Sequence, residues 1–448
     1  MLEIIILFIL TLFMLFISYY MTKKTILSPS VICCLMFTVS IFLLLMYAEE
    51  WKVDLSFLTI FYIIWSLVCI LCGEFMANKI RLKKTHVGIN TELEGYKEKK
   101  EKEIKINKWI TFGCLIFIIL TAILYYKQLV NIVANSEYAQ SEYGQKYSFL
   151  MQARWAKTLE DASVNIFVQL MLTASEAIAC VYAYIIIYNY IMHKKICKNI
   201  FVYLIIVAYI IATFMTTGRS RMLNFCIYLI VIALLLFAKK NHWKNNQNGK
   251  LFTRILIIFL VALWLFYMAG QLTEKSSNYE NFFDNFANYF SSSIYAFNEY
   301  VKNPEQFRGY TDFFGIHTFS GLYSFLRKFE PNIPTSIVAL EYIMCGKYLT
   351  NIYTPIRRYL QDFGFLGLSI IMMFLGFFYT KLLNSNKKKN ASGLRMIITG
   401  YLFFPLFYIC IEERFFMDVI INRTVYTIIF IIIMYEILVK NKFKLKRK

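Results

Sequence analysis

The feature that most constrains this chain is the recurrence of apolar runs about twenty residues long, the first being "LEIIILFILTLFMLFISYY" at residues 2–20. A helix rises about 1.5 Å per residue, so such a run matches the roughly 30 Å hydrocarbon core of a bilayer. No water reaches that core to satisfy amides and carbonyls, so each run must pair them internally as a helix. About eleven runs are legible, at 2–21, 29–48, 55–76, 109–126, 164–192, 200–215, 222–238, 255–271, 363–383, 395–411 and 420–439. The fold class that follows is all-α: a polytopic membrane helix bundle, one integral membrane domain over residues 1–448. The first run lacks a basic leader and a small-residue cleavage site, so it reads as a retained span. No internal repeat is evident, which counts against inverted-repeat transporter folds.

An odd number of spans puts the two ends of the chain on opposite sides. The terminal "KNKFKLKRK" reads as cytoplasmic, which leaves the N-terminus outside a multi-pass protein of the cytoplasmic (inner) membrane. Alternation then makes "TKK", the 78–108 loop, "HKKICKN", "KKNHWKNNQNGK", "NSNKKKN" and the tail cytoplasmic. With Arg254, Lys381 and Arg395 at the adjoining span ends, these segments hold 31 of the 48 basic residues, as the positive-inside bias requires. The net charge of +20 is thereby explained by topology and calls for no nucleic-acid partner. Of the ten cysteines, only Cys345 falls in the large polar segment outside, so no external disulfide framework follows. Cys69 and Cys72 have CxxC spacing but lie within a span, without histidines or further cysteines nearby. Residues 272–362, between the eighth and ninth spans, are too long for a connector and rich in aromatics. They are expected to form a small, largely helical extracytoplasmic cap.

Lysine and arginine are not distributed alike. The cytoplasmic segments contain 27 Lys and 4 Arg, the outer ones 8 Lys and 9 Arg. Orientation and solubility make no distinction between the two cations, but phosphate does. Arg presents a planar fork of donors that grips phosphate oxygens bidentately. The outer arginines are Arg154, Arg219, Arg221, Arg308, Arg327, Arg357, Arg358, Arg414 and Arg423, several at the ends of spans. That is what a lipid-linked phosphate or diphosphate requires; pairing with local acids such as Glu412, Glu413 and Asp418 is the plainer alternative.

Several short segments sharpen this picture. In "TTGRSRML", Gly218 allows a sharp turn and Ser220 can cap a helix that starts near Arg221, adding a helix N-terminus to two guanidiniums. In "NIYTPIRRYLQDFGFLGLSIIMMFLGFFYT", Pro355 favours a bend or helix start and Arg357 and Arg358 stand just before the membrane. Asp362 follows, either as a general base or as the N-cap of the ninth span. His317 is the one histidine on the outer side, structural or a base for a sugar hydroxyl, with Arg308 and Asp312 preceding it. The stretch 276–301 mixes aromatics with Asn and Ser, suited equally to sugar binding and to an interfacial helix. Glu176 is an acid inside a span, either functional or paired with an arginine that holds the bundle together.

Together, "TTGRSRML" opening a span, the long outer segment after the eighth span, and "NIYTPIRRYLQDFGFLGLSIIMMFLG" resemble the Wzy-type oligosaccharide repeat-unit polymerases of O-antigen and capsule synthesis. The resemblance covers most of the chain through its span pattern. It implies a glycosyltransferase-C-like architecture and polymerisation of undecaprenyl-diphosphate-linked repeat units at the outer face of the cytoplasmic membrane. The partners it implies are that lipid-linked oligosaccharide, membrane lipids, and flippase and chain-length regulator proteins. A leaving diphosphate develops charge that fixed cations stabilise, which assigns Arg219, Arg221, Arg308, Arg357, Arg358 and Arg414 to diphosphate binding. His317 or Asp362 would then accept the proton of the acceptor hydroxyl. There is no glycine-rich phosphate loop and no carboxylate cluster for Mg²⁺, so neither a cofactor nor a metal is expected. A glycan ligase fits the same residues. A transporter or flippase of lipid-linked sugars would line a cavity through the bilayer with its cations, whereas here they collect on one side.

Overall fold

The computed structural model describes residues 1–86, 102–160, 162–243, 264, 267–268, 270–271, 282–307, 313–327, 329–334, 339–388 and 391–440. Helices dominate, and among the described residues seven are long and apolar enough to cross a bilayer. These are Leu2–Met21, Pro29–Met46, Phe57–Ile80, Lys108–Ala134, Ile166–His193, Ser220–Lys240 and Pro355–Ser385. Each coincides with an expected span. Three further expected spans are shorter helices: Phe201–Phe214, Gly393–Tyr408 and Asn422–Leu438. The first, with 14 residues, reaches only about 21 Å. The expected span at 255–271 lies for the most part outside the described residues.

The chain divides into two compact units. The first comprises Met1–Lys100, Asn281–Ala391 and Leu402–Asn422; the second comprises Glu101–Glu280, Ser392–Tyr401 and Arg423–Lys448.

In the first unit, helix Phe57–His86 runs against helix Pro355–Ser385. A Cβ at Gly376 would lie 2.1 Å from the Ile70 carbonyl oxygen, and one at Gly73 would lie 1.9 Å from that of Met373. Glycine is thus what lets the two backbones touch. Trp65 Nε1 donates to Ser369 Oγ (2.8 Å) and Asn384 Nδ2 to Asn78 Oδ1 (2.8 Å) along the same seam. Helix Pro355–Ser385 is broken at Gly364, whose φ of 64° and ψ of −167° belong to a region essentially restricted to glycine. Arg357, Arg358 and Asp362 therefore ride on a short first limb, and the apolar second limb matches the expected span at 363–383.

Helix Phe282–Lys302 corrects both readings of the aromatic and amide-rich stretch. It is neither a sugar platform nor an interfacial helix but a buried packing element. Ser291 Oγ donates to the Ser40 carbonyl (2.8 Å) while Ser40 Oγ donates to that of Phe290 (2.6 Å). Asn298 accepts from Ser56 N–H (2.8 Å) and Thr59 Oγ1 (2.9 Å), fixing the start of helix Phe57–His86. The described part of residues 272–362 is not helical throughout. It contains an antiparallel hairpin, Ile343–Cys345 with Tyr348–Thr350, in the register Met344 to Leu349. Gly346 turns that hairpin at φ +58°, where a Cβ would meet the Trp51 ring at 2.6 Å.

In the second unit, helices Lys108–Ala134, Phe149–Leu159, Ile166–His193 and Phe201–Phe214 share a core that includes Tyr125, Leu129, Ala153, Val168, Leu172 and Ala212. The fourth expected span runs on to Ala134 instead of ending near 126, because "LVNIVA" continues its apolar face. Helix Ser220–Lys240 packs on Ile166–His193, where Tyr228 Oη donates to the Cys180 carbonyl (2.7 Å). The "TTGRSR" hairpin is built differently from the expectation. Ser220 is the first helical residue and Arg219 the N-cap, with no side-chain cap bond. The residue with positive φ is Thr217 (59°), not Gly218.

Candidate active site

In the first unit a turn at residues 314–319 carries His317 to the first limb of helix Pro355–Ser385. Gly315 sits at φ +66°, where a Cβ would strike the rings of Phe319 (2.5 Å) and Phe363 (2.9 Å). Phe319 packs on Phe314, Phe363 and Phe416 with centroids 6.4, 5.7 and 5.0 Å away, so the turn is set by apolar packing. The Asp362 carboxylate then holds it. Oδ2 accepts from the Thr318 amide (2.6 Å), and Oδ1 from the His317 amide (3.4 Å) and ring Nδ1 (2.7 Å). Asp362 is therefore not the N-cap of the span that follows; its oxygens serve the His317 turn.

A carboxylate only accepts hydrogen bonds, so His317 Nδ1 is the donor, and in the neutral imidazole Nε2 carries the lone pair. Nε2 is buried and has no hydrogen-bond partner among the described residues. An unsatisfied buried acceptor costs about 1–3 kcal/mol, so it calls for an explanation. An imidazole oriented by a carboxylate on one nitrogen and unbonded on the other is the arrangement of a general base.

Of the neighbouring arginines, Arg358 braces this turn. Arg358, 5% exposed, donates from Nη1 to the His317 carbonyl (2.7 Å), and its own carbonyl accepts from Thr318 Oγ1 (3.3 Å). Arg357 is fully buried, with its guanidinium 4.0 Å from the Tyr353 ring and farther from those of Tyr300 (5.0 Å) and Phe307 (5.1 Å), and it pairs with Glu341. Its Nε and Nη1 have no hydrogen-bond partner among the described residues. Arg414 pairs with Glu412 and, at 2.9 Å, with Asp418, so its charge is balanced locally. Arg308 and Asp312 lie outside the described residues.

Behind the turn stands Glu413, which the sequence offered only as a local acid. It is buried and accepts from Tyr359 Oη (3.0 Å) and from the amides of Phe415 (2.8 Å), Phe416 (2.8 Å) and Met417 (2.9 Å), anchoring the π-helical turn Phe415–Val419. Burial pushes its carboxyl up to about 7, against the opposing pull of those amides, Arg358 and Tyr359.

The second unit holds both Arg219 and Arg221, and Arg221 stands against Glu176 rather than in a bare turn. Arg219 is 8% exposed. Arg423 Nη2 donates to both Glu176 oxygens (2.8 and 3.1 Å), and Arg221 Nη1 stands 3.5 Å from Oε2. Glu176 thus pairs with arginines, as one of its two readings expected. The same group includes Tyr209, fully buried, whose hydroxyl has no partner among the described residues and interacts electrostatically with Glu176, Arg221 and Arg423. Lys157 completes it from the amphipathic helix Phe149–Leu159, with Nζ 3.4 Å from Tyr125 Oη. Burial, and then the Arg221 charge, push the Lys157 ammonium down to about 8. Sequence reading missed Lys157 and Tyr209. The available signal was a lysine one turn after the buried Ala153, on the apolar side of a short helix.

Among the described residues, the cluster carries two guanidiniums and one ammonium against one carboxylate. Excess buried charge is expensive, several kcal/mol per ion, and an anion would relieve it. Comparison with protein-family models, with curated proteins and with solved structures finds no match for this chain.

Proposed function

We propose that this chain is a polysaccharide polymerase. It extends a capsule or O-antigen glycan from undecaprenyl-diphosphate-linked repeat units at the outer face of the cytoplasmic membrane, as an eleven-span protein with its N-terminus outside. The observation that carries the reading is His317: Nδ1 bonded to Asp362, and a buried Nε2 with no partner among the described residues. In the reaction, an acceptor hydroxyl oxygen attacks the anomeric carbon of the growing chain. The bond from that carbon to the diphosphate oxygen breaks, and its electrons leave with the lipid diphosphate. The hydroxyl proton passes to His317 Nε2, and Asp362 stabilises the imidazolium that forms.

The arginine-rich cluster of the second unit, Arg221 and Arg423 around Glu176, supplies cations suited to a phosphate-bearing lipid headgroup. Arg358 serves as a positioning residue that holds the His317 turn. Replacing His317 by Gln in the native host is expected to collapse the surface glycan from a ladder to a single repeat unit, at unchanged protein level. A full ladder from His317→Gln would overturn the assignment.

A further inference from the structure

Resting on the reading above, we propose that the cluster of Lys157, Arg221 and Arg423 couples phosphate binding to proton uptake on Lys157, so that the site holds its anion in neutral medium and releases it as pH rises. The geometry begins with the charge balance. Glu176 is already matched by Arg423, which spans both of its oxygens, and Arg221 stands at 3.5 Å as a second guanidinium on the same carboxylate. Lys157 adds a third cation without an acid of its own among the described residues. Its nearest polar contact is the Tyr125 hydroxyl at 3.4 Å, and its ammonium lies 5.3 Å from the Tyr125 ring centroid.

Among the described residues, the titratable groups packed around Lys157 do not neutralise it. Helix Lys108–Ala134 offers Tyr125, and helix Ser220–Lys240 offers Arg221, a like charge. From the short helix Glu137–Gln140, Tyr138 meets Trp155 at 6.1 Å instead. On the Lys157 side of the chain, Glu160 accepts from Ser136 Oγ (3.0 Å) and the Tyr138 amide (2.8 Å). With the Tyr209 hydroxyl buried and without a partner among the described residues, the cluster presents donors to an anion.

Lys157 is the member of the cluster that can lose its charge near neutrality, because burial and Arg221 already bring its ammonium down to about 8. Arginine stays charged throughout. A dianionic phosphate beside Lys157 reverses the local field and favours the ammonium, so binding and protonation are linked. The ligand chemistry is a phosphate monoester or diphosphate, whether on a lipid or in solution.

The test uses the full chain in phosphatidylcholine nanodiscs, with a short polyprenyl diphosphate as lipid probe and glycerol phosphate as soluble probe. Affinity is measured between pH 7.5 and 9.5, where phosphate esters with a second pKa near 6 are fully ionised. The wild type is expected to weaken about 20-fold over that range, the loss set by deprotonating a lysine of pKa about 8 in the free protein. Lys157→Arg should bind with a flat profile, and Lys157→Gln should be flat and weak. Tighter binding of the lipid probe assigns a headgroup; equal affinity assigns a soluble phosphate. Binding with the same pH profile in the wild type and Lys157→Arg overturns the proton link alone. No binding of either probe at any pH overturns the phosphate reading of the cluster as well.

Discussion

Glu413 gives a prediction whose size and sign both follow from the structure. Its carboxyl is raised from an ordinary 4.5 to about 7 by burial, so the fold favours the protonated form. A carboxyl raised in this way stabilises the fold fully below pH 4.5, and that contribution is lost as pH climbs through 7. Between pH 5.5 and 8.5 the loss amounts to about 2 kcal/mol. Glu413→Gln cannot ionise. Its carbonyl can still accept from Tyr359, Phe415 and Phe416, but its amide nitrogen would face the Met417 N–H, a fixed penalty of about 1–3 kcal/mol. The variant should therefore be the less stable protein at pH 5.5, by a margin that shrinks by about 2 kcal/mol on going to pH 8.5. Unfolding in mixed micelles with graded dodecyl sulfate, run on both proteins at each pH, reads the difference free of other titrating groups. A gap that stays constant, or widens with pH, would mean that the amides and Arg358 keep the carboxylate ionised, and the reasoning would fail.

Two other substitutions test packing and charge. Gly376→Ala should destabilise the first unit by about 1–3 kcal/mol, because its Cβ would stand 2.1 Å from a backbone oxygen of the facing helix. Gly113→Ala, where nothing lies within 4 Å, should leave the unfolding midpoint unchanged and serves as the control. Glu176→Gln should cost about 3–5 kcal/mol by leaving Arg221 and Arg423 without a counter-charge. Adding Arg423→Gln should recover part of that loss; a double variant less stable than Glu176→Gln would count against the cluster as described.

How much of this was legible in the sequence depended on whether the signal was local. Length and apolarity set the long helices almost residue for residue, as at Leu2–Met21 and Pro29–Met46, because a span satisfies its own backbone. Local patterns failed where a distant partner decided the outcome. Ser and Asn in Phe282–Lys302 look like a wet or sugar-binding face, but their partners are Ser40, Ser56 and Thr59, remote in the chain. Cap propensity favoured Asp362 as a helix start, yet the His317 and Thr318 amides claim its oxygens through a turn that Gly315 makes possible. The excess of arginine in the segments read as external named a residue type but no partners. It did not distinguish Arg414, neutralised by Glu412 and Asp418, from Arg221, which shares one carboxylate with Arg423.

The central claim is that this chain joins lipid-linked repeat units with His317 as the base. The most direct measurement incubates the purified protein in nanodiscs with a defined undecaprenyl-diphosphate-linked repeat unit and no nucleotide sugar. Products should appear at integral multiples of the unit, with one lipid diphosphate released per bond formed. His317→Gln should slow the reaction by about 10²–10⁴-fold without loss of substrate binding. Release of lipid diphosphate without chain growth, or growth at an undiminished rate in His317→Gln, would contradict the account.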